Sequence, residues 1–153
     1  MSQVQCGFDS IPGGESGAEL LVTVGPTLLV DIGFDSTWIP RPYVTRPEAG
    51  VTSVSALVDT GAAESCIDDL LATQLNLPVF DIRSISGVGG KHVVKMYLAQ
   101  IYVPSLETNI IGGFAGVHLA AGGQLHRALI GRAFLKNLTM TYDGRTGSVI
   151  LKA

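Results

Sequence analysis

A mainly β, single-domain fold is what the sequence predicts, and three observations carry it. Short segments rich in Val, Ile, Leu and Thr recur between Gly, Pro and Asp breaks; only two stretches have a helical period; and 153 residues are enough for one sizeable core without implying a second. Strands are expected at 20–24, 27–32, 54–58, 93–103, 108–117, 138–142 and 148–151. "SCIDDLLATQLNL" (65–77) reads as a helix, because Ile67, Leu70, Leu71 and Leu75 approximate a helical stripe and Pro78 lies beyond its end. "GRAFLKNL" (131–138) reads as a second, shorter amphipathic helix.

Residues 1–18 are Gly- and Ser-rich, which predicts a flexible segment ahead of a domain covering 19–153. Residues 35–53, "DSTWIPRPYVTRPEAGVTS", contain Pro40, Pro42 and Pro47 and follow no period, so they read as a Pro-rich insertion. A connection of this length is either a solvated excursion or an arm that touches substrate or partner, and Trp38 and Tyr43 keep the second reading open. One internal echo stands out. "ALVDTGA" (56–62) and "ALIGRAF" (128–134) each join an apolar triplet to a sharp glycine turn with a short helix after it, which suggests a lobe with internal pseudo-symmetry.

Composition narrows the function classes. An apolar fraction of 46% with 15% charged residues describes a well-packed globular chain. The net charge of -3, with ten scattered Lys and Arg residues, speaks against nucleic acid as a partner. The most apolar stretch, "ELLVTVGPTLLVDIGF", is broken by Gly25, Pro26 and Asp31, so no membrane span is expected. The first residues lack the basic and apolar regions of a secretory signal. Cys6 and Cys66 form no metal or redox spacing, which points to free thiols in a reducing cytoplasm.

Several candidate sites fail on their own chemistry. "SGVGGKH" departs from a phosphate loop because His92 follows Lys91 and no helix pattern comes after. "GGFAGVHLAAGG" lacks the helix and later acid of a dinucleotide fingerprint. His92, His118 and His126 share no metal-ligand spacing. Asp68 and Asp69 open a predicted helix, where acids cap. Cys66 has no evident histidine to activate it as a nucleophile.

One acid resists such explanations. In "ALVDTGAAES" (56–65) Asp59 ends an apolar strand, where an ionised carboxylate is costly to desolvate unless it is hydrogen-bonded or paired. Thr60 supplies a hydroxyl, Gly61 an amide with room for close approach, and Ala62 a small side chain for a tight turn.

Three segments, in order, resemble the retroviral-type (retropepsin-like) aspartic protease family over residues of about 20 to 152. "ALVDTGAAES" resembles its active-site loop, "SISGVGGKHVVKMY" (84–97) its Gly-rich flap hairpin, and "ALIGRAFL" (128–135) the apolar-apolar-Gly element before its C-terminal helix. The resemblance implies a closed, barrel-like β lobe and an aspartic endopeptidase that hydrolyses polypeptides with water as nucleophile and no cofactor. Such chemistry needs two carboxylates sharing a proton. This chain has one Asp-[Ser/Thr]-Gly, so the implied enzyme is a homodimer in which Asp59 meets Asp59 of a second copy. By the same resemblance Thr60 bonds across the subunit boundary and Gly61 meets the substrate backbone. Ala62, Ala63, Cys66 and Ile67 line the substrate site, and Gly87, Val88, Gly89 and Gly90 form the flap tip.

The chain also departs from the family pattern. Ala63 stands where an acid often follows the turn, leaving Arg132 to pair with Glu64 or with nothing. The ending "LTMTYDGRTGSVILKA" reads as a hairpin around Asp143 and Gly144, longer than the single closing strand of viral enzymes, and is expected to build the dimer sheet. The alternative is a catalytically weak or inactive dimeric peptide-binding module with the same fold; a third reading is a self-processing domain of a longer polyprotein.

Overall fold

Where apolar and polar residues alternate at period two, the chain forms strands, and these outnumber its helices. The computed structural model describes residues 2–35, 47 and 50–153. Among them the elements run β1 (Gln3–Gln5), α1 (Gly17–Thr23), β2 (Thr27–Gly33), β3 (Gly50–Val58), β4 (Cys66–Asp68), α2 (Asp69–Gln74), β5 (Val79–Gly87), β6 (Gly90–Val103), β7 (Thr108–Val117), β8 (Ala128–Ile130), α3 (Arg132–Leu135), β9 (Thr139–Asp143) and β10 (Ser148–Lys152).

Six strands close a barrel in the order β2-β3-β8-β4-β7-β6, because β6 returns to β2 through Asp31↔Tyr102 and Ile32↔Ile101. Closure removes the sheet edges that an open sheet would leave unpaired. Strand β5 lies outside the ring as the outer half of a hairpin on β6. A second sheet, β1-β10-β9, sits beside the barrel. The core follows the alternation on β2, where Leu28, Val30 and Ile32 are buried while Leu29 between them is exposed; on β6, Ala99, Ile101 and Val103 join the same core. Val149 and Leu151 tie β10 to that core.

The echo between the two apolar triplets has a direct structural meaning. Strands β3 and β8 run parallel and in register, Ala56 opposite Ala128, Leu57 opposite Leu129 and Val58 opposite Ile130. Both triplets end at the same level of the barrel, which brings their two glycine turns together.

Several expectations are corrected. Residues 20–24 are not a strand: 20–23 belong to helix α1 and Val24 is its C-cap, and the helix is started by a capping box in which Ser16 Oγ accepts from Glu19 N and Glu19 accepts from Ser16 N. The segment ahead of residue 19 is built into the fold: Gln3–Gln5 pair with β10 and Cys6 is buried. The helix expected at 65–77 begins only at Asp69, because residues 66–68 join β7 and β8 as a strand. Strand β5 starts five residues before the hairpin expected from residue 84. Of the Pro-rich stretch 35–53, residues 50–53 belong to β3, and Trp38 and Tyr43 lie outside the described residues. No helix among the described residues is long and apolar enough to cross a membrane.

Candidate active site

Asp59 leaves the end of β3 at the turn between the two triplets. Its N–H donates to the Ile130 carbonyl at 2.9 Å, which extends the β3–β8 pairing by one residue. Its Oδ1 accepts from Gly61 N at 2.8 Å, so the turn itself supplies a donor to the half-buried carboxylate. The loop is held from the opposite side by the second glycine turn. Arg132 Nη1 donates to the Thr60 carbonyl at 2.7 Å, Arg132 N to the Ala62 carbonyl at 2.9 Å, and Ala133 N to the Ala63 carbonyl at 2.9 Å. Gly131 makes this approach possible: a Cβ there would stand 2.6 Å from the Glu64 carbonyl oxygen and 2.9 Å from that of Ala62. Its N–H donates to the buried Ser65 hydroxyl at 3.0 Å. Arg132 thus serves the loop backbone, and among the described residues Glu64 has no ion pair with it.

A cavity of about 590 Å³ opens beside this loop. Gly61, Ala62 and Ala63 form one wall with Arg132; Cys66, Met96 and Ala115 form an apolar floor; Arg83, Ile85 and Ser86 of β5 lean over it. Val94, Met96 and Ala115 are buried together, with Cys66 and Ile85 packed on them. Burial pushes the Cys66 thiol above its ordinary value, and the negative charges of Asp59 and Glu64 push it further. Both effects favour the thiol over the thiolate, and Cys66 packs on the Val94, Met96 and Ala115 cluster. Cys6 is pushed up to about 11 by burial.

The residues expected at the site therefore divide. Gly61, Ala62, Ala63 and Cys66 line the cavity, and Asp59 and Thr60 sit in the same turn just outside its lining. Ile67 does not: it is fully buried in the main core, because alternation along β4 sends it to the face opposite Cys66. Gly87, Val88, Gly89 and Gly90 form the tip of the β5–β6 hairpin, outside the cavity wall, with Val88 fully exposed. Gly89 has φ +89°, which favours glycine in this two-residue turn. Arg83, Ile85 and Met96 were missed as lining residues. Arg83 and Ile85 alternate along β5, while Met96 comes from its partner β6. Arg83 Nε bonds Asp81 Oδ2 at 2.7 Å, which holds the Asp81 carboxyl below its ordinary range.

Behind the site the structure is pinned by a buried acid. Asp68 Oδ2 accepts from Leu71 N at 3.2 Å, capping α2, while Oδ1 accepts from Leu119 N and Ala120 N, both at 3.1 Å. Next to it Tyr97 Oη donates to Asp69 Oδ1 at 2.6 Å.

A search of the curated proteins finds no match to the chain. The family model described as retroviral aspartyl protease matches residues 40–142, about two thirds of the chain, including the Asp59 turn, the β5–β6 hairpin and the Gly131–Arg132 turn. With this match and the closed six-strand barrel together, the chain belongs to the retroviral aspartyl protease family.

Proposed function

We propose that two copies of the chain assemble into one aspartic endopeptidase, with the two Asp59 carboxylates facing each other across a two-fold axis. The observation that carries this reading is the Asp59 turn: a carboxylate that accepts from Gly61 N, in a loop whose Thr60 carbonyl is held by Arg132, beside a cavity of about 590 Å³ lined by Gly61, Ala62 and Ala63. In such a pair one carboxylate takes a proton from water while the other, protonated, donates to the scissile carbonyl; the pair titrates as a unit. In this reading Thr60, exposed at the turn, bonds across the subunit boundary and Gly61 meets the substrate backbone. The hairpin tip at Gly87, Val88, Gly89 and Gly90 acts as the flap, closing over an extended polypeptide and excluding water.

Dimer contact is assigned to the second sheet. Strand β10 is flanked by β1 and β9, so the five-residue edge of β9 is open among the described residues. Self-pairing of β9 about a two-fold axis would satisfy those groups. Cleavage of an unfolded protein at about pH 4 to 6, where one of two coupled carboxyls holds a proton, tests the reading. It is expected in wild type and absent in Asp59→Asn. Equal cleavage by both proteins would refute it, and cleavage by neither would favour a peptide-binding module.

A further inference from the structure

A second cavity, also of about 590 Å³, lies on the far side of Glu64 from the catalytic one. Strand lengths create it. Strand β7 has ten residues, but β4, its parallel neighbour, has three and reaches only Ala115, Gly116 and Val117. Along residues 110–114 the edge of β7 opposite β6 therefore meets no strand among the described residues. In an antiparallel pair every second residue turns its N–H and C=O away from the partner, so this edge offers outward donors and acceptors. Ala133 and Phe134 of α3, with Leu138, form the facing wall. Above Gly112 the space is open, since a Cβ built there meets nothing within 4 Å.

This groove and the catalytic cavity adjoin, sharing Glu64, Ser65 and Gly113 in their walls. Five strand residues span about 17 Å, and the volume is within the roughly 300–1,000 Å³ of ligand sites. Glu64 marks the crossing, exposed and without an ion pair among the described residues.

We propose that the groove is an accessory site for the polypeptide substrate itself. The part of the substrate beyond the cleaved bond passes Glu64, where a Lys or Arg is favoured, and adds to the β7 edge as an extended strand. An apolar side chain of that segment packs against Phe134 and Leu138. Outward backbone groups in a row select an extended polypeptide over a compact small molecule. This inference rests on the protease reading and names a substrate requirement of the same site: length.

Two measurements on the full chain separate the inference from the reading on which it rests. In the first, hydrogen exchange of the Asp59→Asn protein is followed with and without reduced, carboxymethylated α-lactalbumin, an unfolded polypeptide. Protection of the amides at 110–114, in addition to the catalytic turn, is expected; protection confined to the turn and the hairpin would overturn the accessory site. In the second, kcat/KM of wild type is compared for that polypeptide and for a hexapeptide too short to reach the groove. Ala133→Trp, which fills the groove, is expected to lower the polypeptide-to-hexapeptide ratio about tenfold, mainly through KM, equivalent to about 1.4 kcal/mol. An unaltered ratio in a variant that still cleaves the hexapeptide would overturn the proposal, and Asn137→Trp supplies the same test should Ala133→Trp not fold. Groove protection without any hydrolysis by wild type would remove the protease reading and leave the polypeptide site standing.

Discussion

Asp59 can end a buried strand because its neighbours supply what its charge needs: Gly61 N for the carboxylate, Ile130 for its own amide and Arg132 for the loop. Asp59→Asn is expected to keep the fold and lose hydrolysis on the order of 10³-fold or more, read as kcat on an unfolded protein. Asp68 has the opposite role, structural and fully buried. Asp68→Ala strands three backbone donors and is expected to cost about 3 kcal/mol in urea unfolding, with Asp68→Asn costing less.

His126 adds a pH term of defined sign. It is buried with Nε2 2.8 Å from Thr27 Oγ1, whose hydroxyl also bonds the Gly25 carbonyl, and burial lowers its pKa below the ordinary 6.5. As pH falls through about 6.5 the unfolded chain takes up a proton that the folded chain refuses, so stability declines on the acid side and is untouched by this residue above it. His126→Gln keeps a donor for Thr27 and is expected to shrink the fall in Tm between about pH 7.5 and pH 5.

At this scale the sequence was most readable where chemistry is local. The Asp59 turn is contiguous, and Asp-Thr-Gly states its own hydrogen bonding. The Arg132 bond to Thr60 joins residues 72 positions apart and follows only from the β3–β8 register, so the sequence left Arg132 to pair with Glu64 or with nothing. The resemblance put Ile67 in the substrate site, but residues 66–68 form a strand whose alternation turns it inward.

Among the elements, β9 carries the clearest consequence. Successive residues of an antiparallel strand point their N–H groups to opposite edges. Of Thr141→Pro and Tyr142→Pro, one therefore breaks the β9–β10 ladder and lowers Tm, while the other leaves the ladder and removes a donor from the open edge. That second variant is expected to sediment as a folded monomer at concentrations where wild type is dimeric; a dimer from both would move the contact away from β9. Strands β2, β7, β9 and β10 were legible within about two residues because their alternation or β-branching is strong. Helix α1 was not, since Leu20, Leu21 and Val22 also read as a strand; Ser16 and Glu19 carried the deciding capping signal. Strands β4 and β8, three residues each, are too short for any period to show, and their neighbours in the barrel define them.

For the molecule as a whole, barrel closure depends on β6 meeting β2, a pairing of distant segments that no local pattern announces. The mainly β class, the hairpin and the paired glycine turns were nonetheless in the sequence, because each is set within a dozen residues. Assembly is the level at which the account is most exposed. Wild-type chain held at a fixed concentration is mixed with increasing Asp59→Asn chain, allowed to exchange subunits, and assayed on an unfolded protein. If the site takes one carboxylate from each copy, activity falls progressively as mixed dimers replace wild-type ones. Activity that stays constant under a large excess of the mutant would mean that each chain works alone, and would contradict the shared site.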